Sequence, residues 1–454
     1  MKAKKLAAAA AALTMIASMA AVPMSVSADD TTPGTSGYTA VNGGDVSFDK
    51  YLVMKNNATV PNVSFNLTVE PIADSEVKTA TSTSLAVMKG PEGIKFKSGV
   101  TDVTVVDATE TTPATATVAF NSTDTTTPEA NKESKSIVFA TTTTDDEKFA
   151  TKTVTLDLSA VSFPEPGVYR YKITETAVTG VAGVTNDTND TRYLDVYVKN
   201  ETTGTGAEET NTGNLAIQGY FIHKADDAPR VGTADSSKKS TGFSNAYTTN
   251  DLEFRKVVTG NQGSKDKYFK ITVKLTNPDS LTISDSDTFQ LSGTWTKTPT
   301  QNAATIYTAE NMTTANNVTS LTYANLKGTD GYSFYIHDGE LIELHGIPSG
   351  LGYTIIEAEE DYTPSVAMNT TGDVKTDDKA GEGTAIDTSA NNTVTDTFLK
   401  SDAGVIFTND RSGNIPTGLI STVAGSLGIV AVGALGITGG AIYMKKKKSE
   451  DEED

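Results

Sequence analysis

The chain is 454 residues long and carries 37 Lys+Arg against 57 Asp+Glu, a formal net charge of −20, with no cysteine and three histidines. That length allows two or three domains, each large enough to bury a core. The composition excludes disulfides, thiolate nucleophiles and Cys-ligated metals. Its acidity argues against a nucleic-acid partner, and the isolated His223, His337 and His345 leave little for zinc or acid–base chemistry.

At the start, Met1-Lys2-Ala3-Lys4-Lys5 precede an Ala/Leu/Met-rich apolar run to Val22 and then Val26-Ser27-Ala28. A basic opening, an apolar middle and small residues before a cut predict a secretory signal over 1–28, not a structural helix. Residues 29–37 follow as a short leader.

From there to Asp410, short runs alternate apolar and polar residues, rich in Val, Ile, Thr, Tyr and Phe and bounded by Gly, Asn, Asp and Pro, with no convincing 3.6-residue period. Val46 to Met54, Val63 to Val69, Thr153 to Leu158, Tyr193 to Val198, Tyr268 to Leu275 and Gly352 to Glu357 are examples. An all-β chain is predicted. Threonine, dense between Thr101 and Thr155, supplies β-branching without apolar surface and suits solvated sheet faces.

An internal repeat organises these strands. Phe48-Asp49-Lys50 and Phe254-Arg255-Lys256 share the pattern F-x-K near the start of each half. Tyr171-Lys172-Ile173-Thr174-Glu175 and Tyr353-Thr354-Ile355-Ile356-Glu357 share Y-x-I-x-E, each after a Pro/Gly turn, and Phe243-Ser244-Asn245 and Phe407-Thr408-Asn409 close the halves as F-x-N. Lys, Glu and Asn thus recur in order, 125 and 70 residues apart in the first half and 101 and 52 in the second. Two domains of one architecture are predicted, 38–247 and 248–410, the first carrying an insertion.

Residues 411–444 contain Ile415-Pro416-Thr417-Gly418 and an apolar stretch of 26 residues, Leu419 to Met444, before the lysine cluster of the tail 445–454. At 1.5 Å per residue that stretch crosses a bilayer as a helix, the lysines staying cytoplasmic, so the bulk of the precursor lies outside the cell. Pro-Thr-Gly before an apolar span and a basic tail resembles the sorting signal of Gram-positive wall proteins, which a sortase cuts between Thr and Gly. The usual pattern is L-P-x-T-G; here Pro416 meets Thr417 directly, as in the V-P-T-G signals of some streptococcal pilins. The resemblance implies covalent attachment to peptidoglycan, with a membrane contact only in the precursor. Removing both ends leaves 30 basic and 52 acidic residues, a net charge of −22.

Side-chain phase gives the repeat chemical content. In a strand, residues i, i+2 and i+4 share a face. Lys50 is in step with Val46, Phe48 and Leu52; Lys256 with Leu252, Phe254 and Val258; Glu175 with Tyr171 and Ile173; Glu357 with Tyr353 and Ile355; Asn245 with Phe243 and Tyr247; and Asn409 with Val405 and Phe407. Six polar residues therefore fall on apolar faces, while Asp49, Glu253 and Arg255 point the other way. Burial lowers a lysine pKa and raises that of a glutamate, which favours a neutral, nucleophilic amine beside a protonated carboxyl. A protonated Glu donating to an Asn carboxamide oxygen polarises its carbon, then relays protons to departing ammonia. The product is an intramolecular Lys–Asn isopeptide bond, formed once by autocatalysis without turnover, cofactor, metal or oxidant. The simplest alternative is that these are edge residues, the lysines reaching water and the others satisfied by backbone.

The paired F-x-K, Y-x-I-x-E and F-x-N segments, with the Pro-Thr-Gly signal, resemble the Gram-positive T-antigen or FctA-type major pilins and related isopeptide-containing, sortase-anchored surface proteins. That resemblance implies two tandem immunoglobulin-like β-sandwich domains of the B-type collagen-adhesin kind. It also implies bonds Lys50 to Asn245 and Lys256 to Asn409, with Glu175 and Glu357 as the catalytic residues. By the same resemblance, a lysine near the end of the first domain links subunits through Thr417 of the next one; Lys238 and Lys239 occupy that region, in a segment that reads as exposed. A cell-wall or pilus-surface location follows. A monomeric wall-anchored adhesin binding a host protein or glycan is the alternative. Asp285-Ser286-Asp287 is too short for a calcium loop.

Overall fold

The computed structural model describes residues 44–413 other than 83, 132–136, 140–145, 205–209, 225, 228, 230–238, 296–317, 370–391, 397, 398 and 400. Residues 45–247 form two facing sheets and residues 249–410 two more. The expected signal, leader, sorting motif and transmembrane segment lie outside the described residues.

In the first pair, one sheet runs Val184–Thr185, Gly242–Tyr247, Asp45–Lys55, Glu147–Asp157, Lys95–Phe96. The facing sheet runs Thr210–His223, Thr191–Thr203, Gly167–Thr176, Val63–Pro71, Ala114–Phe120, Val103–Val106. Val63–Pro71 and Ala114–Phe120 alternate buried with less buried positions, as a half-covered strand must. Their inward residues Phe65, Leu67, Ala116 and Val118 share one core with Phe48, Leu52, Tyr171, Ile173 and Phe243.

The second pair repeats the plan. Ser320–Thr322, Thr288–Trp295, Glu340–Pro348, Thr249–Thr259, Ala403–Asp410 and Thr363–Asn369 form one sheet, and Tyr332–Ile336, Phe269–Thr276, Gly352–Glu357 and Thr393–Asp396 the other. Leu252, Phe254, Ile271, Val273, Ile355 and Phe407 meet between them. Between Gly293 and Gly331 lie the strand Ser320–Thr322 and the one-turn helix Tyr323–Leu326, capped by the Thr322 side chain.

In each unit the opening strand lies parallel to the closing one, Asp45–Lys55 beside Gly242–Tyr247 and Thr249–Thr259 beside Ala403–Asp410. Parallel neighbours need a crossover, and here the crossover is the rest of the unit. Chain ends far apart in sequence thus become hydrogen-bonded neighbours. The face opposite the core is partly covered too: Arg255, outward by phase, is only 2% exposed, and nearby Val257, Leu341 and Ile406 form a separate apolar cluster.

The units are joined by more than the chain. Ala182, in the loop after Gly167–Thr176, belongs to the core of the second unit. Its loop makes backbone bonds from Ala182 N to Thr282 O (3.0 Å), Thr282 N to Gly180 O (2.6 Å) and Gly183 N to Ser349 O (3.1 Å). Gly183 sits at φ +72°, and a Cβ there would meet Thr248 O at 2.7 Å, so the turn needs glycine. Polar pairs complete the seam: Lys55 Nζ with Asp402 Oδ1 at 2.9 Å, Asn57 Nδ2 to Asp251 Oδ2 at 2.6 Å and Asn62 Nδ2 to Asp287 Oδ1 at 2.7 Å. Asp287 of the short acidic segment thus serves the seam.

Candidate functional site

All six residues of the two Lys-Glu-Asn sets are buried, each lysine at 0% exposure. The edge-strand alternative, with lysines reaching water, does not describe this structure.

In the first unit Lys50 Nζ donates to Asn245 Oδ1 and lies 2.8 Å from Glu175 Oε2. The opening strand supplies the lysine and the closing strand the asparagine, and Glu175 comes from the facing sheet. In the second unit Lys256 Nζ donates to Glu357 Oε1 at 2.6 Å, and Asn409 Nδ2 donates to the same oxygen at 2.6 Å. The structure therefore brings each amine, carboxyl and carboxamide together across 195 residues of sequence in one case and 101 plus 52 in the other.

The two sites differ in how the carboxamide is turned. Asn245 presents its oxygen to the amine, whereas Asn409 presents its nitrogen to the carboxyl, and Asn409 Oδ1 has no hydrogen-bond partner among the described residues. The sequence reading had the glutamate donating to the carboxamide oxygen. Glu357 instead bridges the amine and the carboxamide nitrogen, the nitrogen that the expected reaction would release.

An ammonium with so little water around it is disfavoured. Burial pulls the Lys50 amine down to about 8, with the Glu175 carboxylate opposing the fall. Burial likewise pulls Lys256 down to about 8 against Glu357, and pushes the Glu357 carboxyl up against the contrary pull of Lys256 and Asn409.

Sequence reasoning missed the aromatic roofs. Lys50 Nζ lies 4.1 Å from the centre of the Phe65 ring, and Lys256 Nζ lies 4.3 Å from that of Phe269. Such rings favour a cation while excluding water. Their signal was available: each is an inward-phase phenylalanine on the strand after the lysine. Also missed was a buried ion pair beside Asn245, Arg192 Nη2 to Asp187 Oδ2 at 2.6 Å.

Of the candidate linking lysines, Lys239 is half-buried rather than exposed; it bridges to His223 through the backbone, with Nζ 5.6 Å from the centre of the Phe221 ring. Lys238, Ile415, Pro416, Thr417 and Gly418 lie outside the described residues. No helix among the described residues is long and apolar enough to cross a membrane.

Comparison with known proteins places this geometry. Residues 91–248 match the FctA family, described as a Spy0128-like isopeptide containing domain, and residues 250–397 match a domain of unknown function, DUF7601. The FctA match includes Glu175 and Asn245 and begins after Lys50. A pilin of Streptococcus pyogenes serotype M1 is 27% identical over 424 residues, covering 91% of this chain and 93% of the relative. The crystal structure of the major pilin from Streptococcus pyogenes is 20% identical, covers 82% of this chain and 100% of its own, and superposes with a TM-score of 0.45. The T3.2 major pilin of the same species gives 19% identity, the same coverage and a TM-score of 0.42. An isopeptide-containing FctA domain over residues 91–248 and a pilin similar over nine-tenths of its length together support an FctA-type pilin of Gram-positive bacteria.

Proposed function

We propose that this pilus backbone subunit is stabilised by two intramolecular bonds, Lys50 to Asn245 and Lys256 to Asn409. In each, the lysine Nζ forms a bond to the asparagine Cγ, the Cγ–Nδ2 bond breaks, and ammonia leaves. The protons shed by the amine pass through the glutamate to the departing nitrogen, so no oxidant or cofactor enters the balance. The reaction happens once per site, and the fold's proximity of amine and amide supplies most of the acceleration. The observation that carries this reading is Glu357 Oε1, which holds the attacking and the leaving nitrogen at 2.6 Å each.

Assembly follows from the ends of the chain. A sortase cuts after Thr417 within Ile415-Pro416-Thr417-Gly418 and passes the new carboxyl to a lysine of another subunit, with Lys238 and Lys239 as candidates, or to wall peptidoglycan. The transmembrane segment serves only to hold the precursor for that cut.

Intact mass of the expressed ectodomain tests the core of the proposal. Two bonds remove two molecules of ammonia, a deficit of about 34 Da from the sequence mass. A wild-type ectodomain at full sequence mass rules the reading out.

A further inference from the structure

The two closing strands are supported differently on the side away from the opening strand. In the second unit Thr363–Asn369 pairs with the closing strand over seven positions, from Asp410 to Gly404, with Pro364 opposite Asn409. In the first unit the neighbour is Val184–Thr185, and its ladder covers only Tyr247 and Ala246. Among the described residues no strand pairs with that edge from Gly242 to Asn245, the stretch that carries the reacting carboxamide.

A buried ion pair occupies this edge instead. Continuing the register of Val184–Thr185 sets Asp187 opposite Ser244, and Asp187 Oδ2 accepts the Ser244 N–H at 2.8 Å, where a strand carbonyl would. Arg192 Nη2 donates to the same oxygen at 2.6 Å, and Arg192 Nε donates to Gly242 O at 2.9 Å and Ser240 Oγ at 2.9 Å. Its Nη1 is held by Asn189 O (2.6 Å) and Thr191 O (3.0 Å), and its guanidinium lies 4.4 Å from the centre of the Phe243 ring. Arg192 is 0% exposed and the Asp187 side chain 1%. We propose that Asp187 and Arg192 are positioning residues for the first bond: they complete the unpaired edge of the closing strand and so set Asn245 against Lys50.

This inference rests on the isopeptide reading above. It also gives the pair an electrostatic signature that a purely structural role lacks. Lys50 is faced by Glu175, Asp187 and Arg192; Lys152, opposite it on the neighbouring strand, is tied to Asp102 and Asp124, and Asp190 faces Arg192. Asp187 favours the charged amine and Arg192 the neutral one. Removing either partner thus moves the pH at which the Lys50 amine loses its proton, in opposite directions for the two.

The test uses the full chain made by cell-free synthesis, stopped after a short pulse, transferred to buffers from about pH 6 to 10 and quenched in acidic denaturant at intervals. Digestion and mass spectrometry follow the two crosslinked peptides separately, and the Lys256–Asn409 bond serves as the control for folding. Asp187→Asn and Arg192→Gln are expected to slow the Lys50–Asn245 bond about tenfold or more at neutral pH, leaving the second bond at its wild-type rate. The alkaline limb of the first bond moves up by about half a pH unit in Arg192→Gln and down by a similar amount in Asp187→Asn. Arg192→Lys, which keeps the charge without the fork, slows the bond but leaves the limb in place. Wild-type rates in both variants, equal slowing of both bonds, or limbs that move together overturn the proposal. A wild-type chain that forms neither bond overturns the isopeptide reading itself.

Discussion

Asn409 stands two residues out of register with Lys256 on adjacent parallel strands, Phe407 lying opposite the lysine and Asn409 opposite Val258. Lys50 and Asn245 repeat the offset, with Phe243 opposite Lys50 and Asn245 opposite Leu52. An even offset keeps both side chains on one face. Two residues of strand add about 7 Å along the sheet to the roughly 5 Å between strands, a diagonal suited to a long lysine meeting a short asparagine. The same diagonal brings Lys50 onto Asn245 Oδ1 in the first unit and brings Lys256 and Asn409 together on Glu357 Oε1 in the second.

Replacing either glutamate should abolish one bond and spare the other. Glu357→Ala and Glu175→Ala are each expected to cut the mass deficit from about 34 to about 17 Da, and the double variant to remove it. Closing a loop of 150 or more residues is worth about 5 kcal/mol in the chain-entropy description, and an unpaired buried lysine costs about 3 kcal/mol more. Urea denaturation of Glu357→Ala should show a loss of that order; a variant that loses the mass deficit at unchanged stability contradicts the structural role.

The rate of bond formation has a defined pH dependence. Neutral amine with protonated carboxyl holds the same number of protons as ammonium with carboxylate, so the reactive arrangement belongs to the singly protonated pair. With Lys256 lowered to about 8 and Glu357 raised by burial, the rate of the Lys256–Asn409 bond should be flat in the neutral range and fall about tenfold per pH unit above about 8. It should fall in acid as well, once the pair takes a second proton and the amine is held as ammonium beside a protonated carboxyl. Pulse synthesis followed by mass spectrometry reads this directly, and a rate that climbs through pH 8 and stays high shows that the free amine alone is sufficient.

Ala182 ties the first unit to the core of the second. A carboxylate cannot stay there without a partner, so in Ala182→Asp the loop should withdraw, costing about 1–3 kcal/mol of junction stability. Neither Lys-Glu-Asn set includes a residue of this loop, and the mass deficit should persist. Distances between spin labels on the two units should broaden from one narrow distribution to a wide one; an unchanged narrow distribution shows that the polar seam suffices.

Polymer formation separates the candidate lysines. In a Gram-positive host, wall extracts should show a high-mass ladder that collapses in Thr417→Ala. It should collapse in Lys239→Ala if the half-buried lysine beside Phe221 is the acceptor, and in Lys238→Ala if its neighbour is. In either variant the ectodomain keeps its deficit of about 34 Da. A ladder that survives the combined change Lys238→Ala with Lys239→Ala moves the acceptor elsewhere.

Much of this was legible in the chain because a strand has a period of two. Phase alone put Lys50, Glu175, Asn245, Lys256, Glu357 and Asn409 among apolar neighbours, and recurrence of their order made two units of one plan. Phase says nothing about what lies across a face. The diagonal register of opening and closing strands, the turn of each carboxamide, the rings of Phe65 and Phe269 over the amines, and Ala182 in the neighbouring core depend on contacts between segments distant in sequence. Arg192 and Asp187 show the limit most clearly. Read locally, they are ordinary charged residues of a loop and a strand start. Only folding, which leaves one edge of Gly242–Tyr247 largely unpaired among the described residues where Ala403–Asp410 is covered, makes their ion pair the support of Asn245.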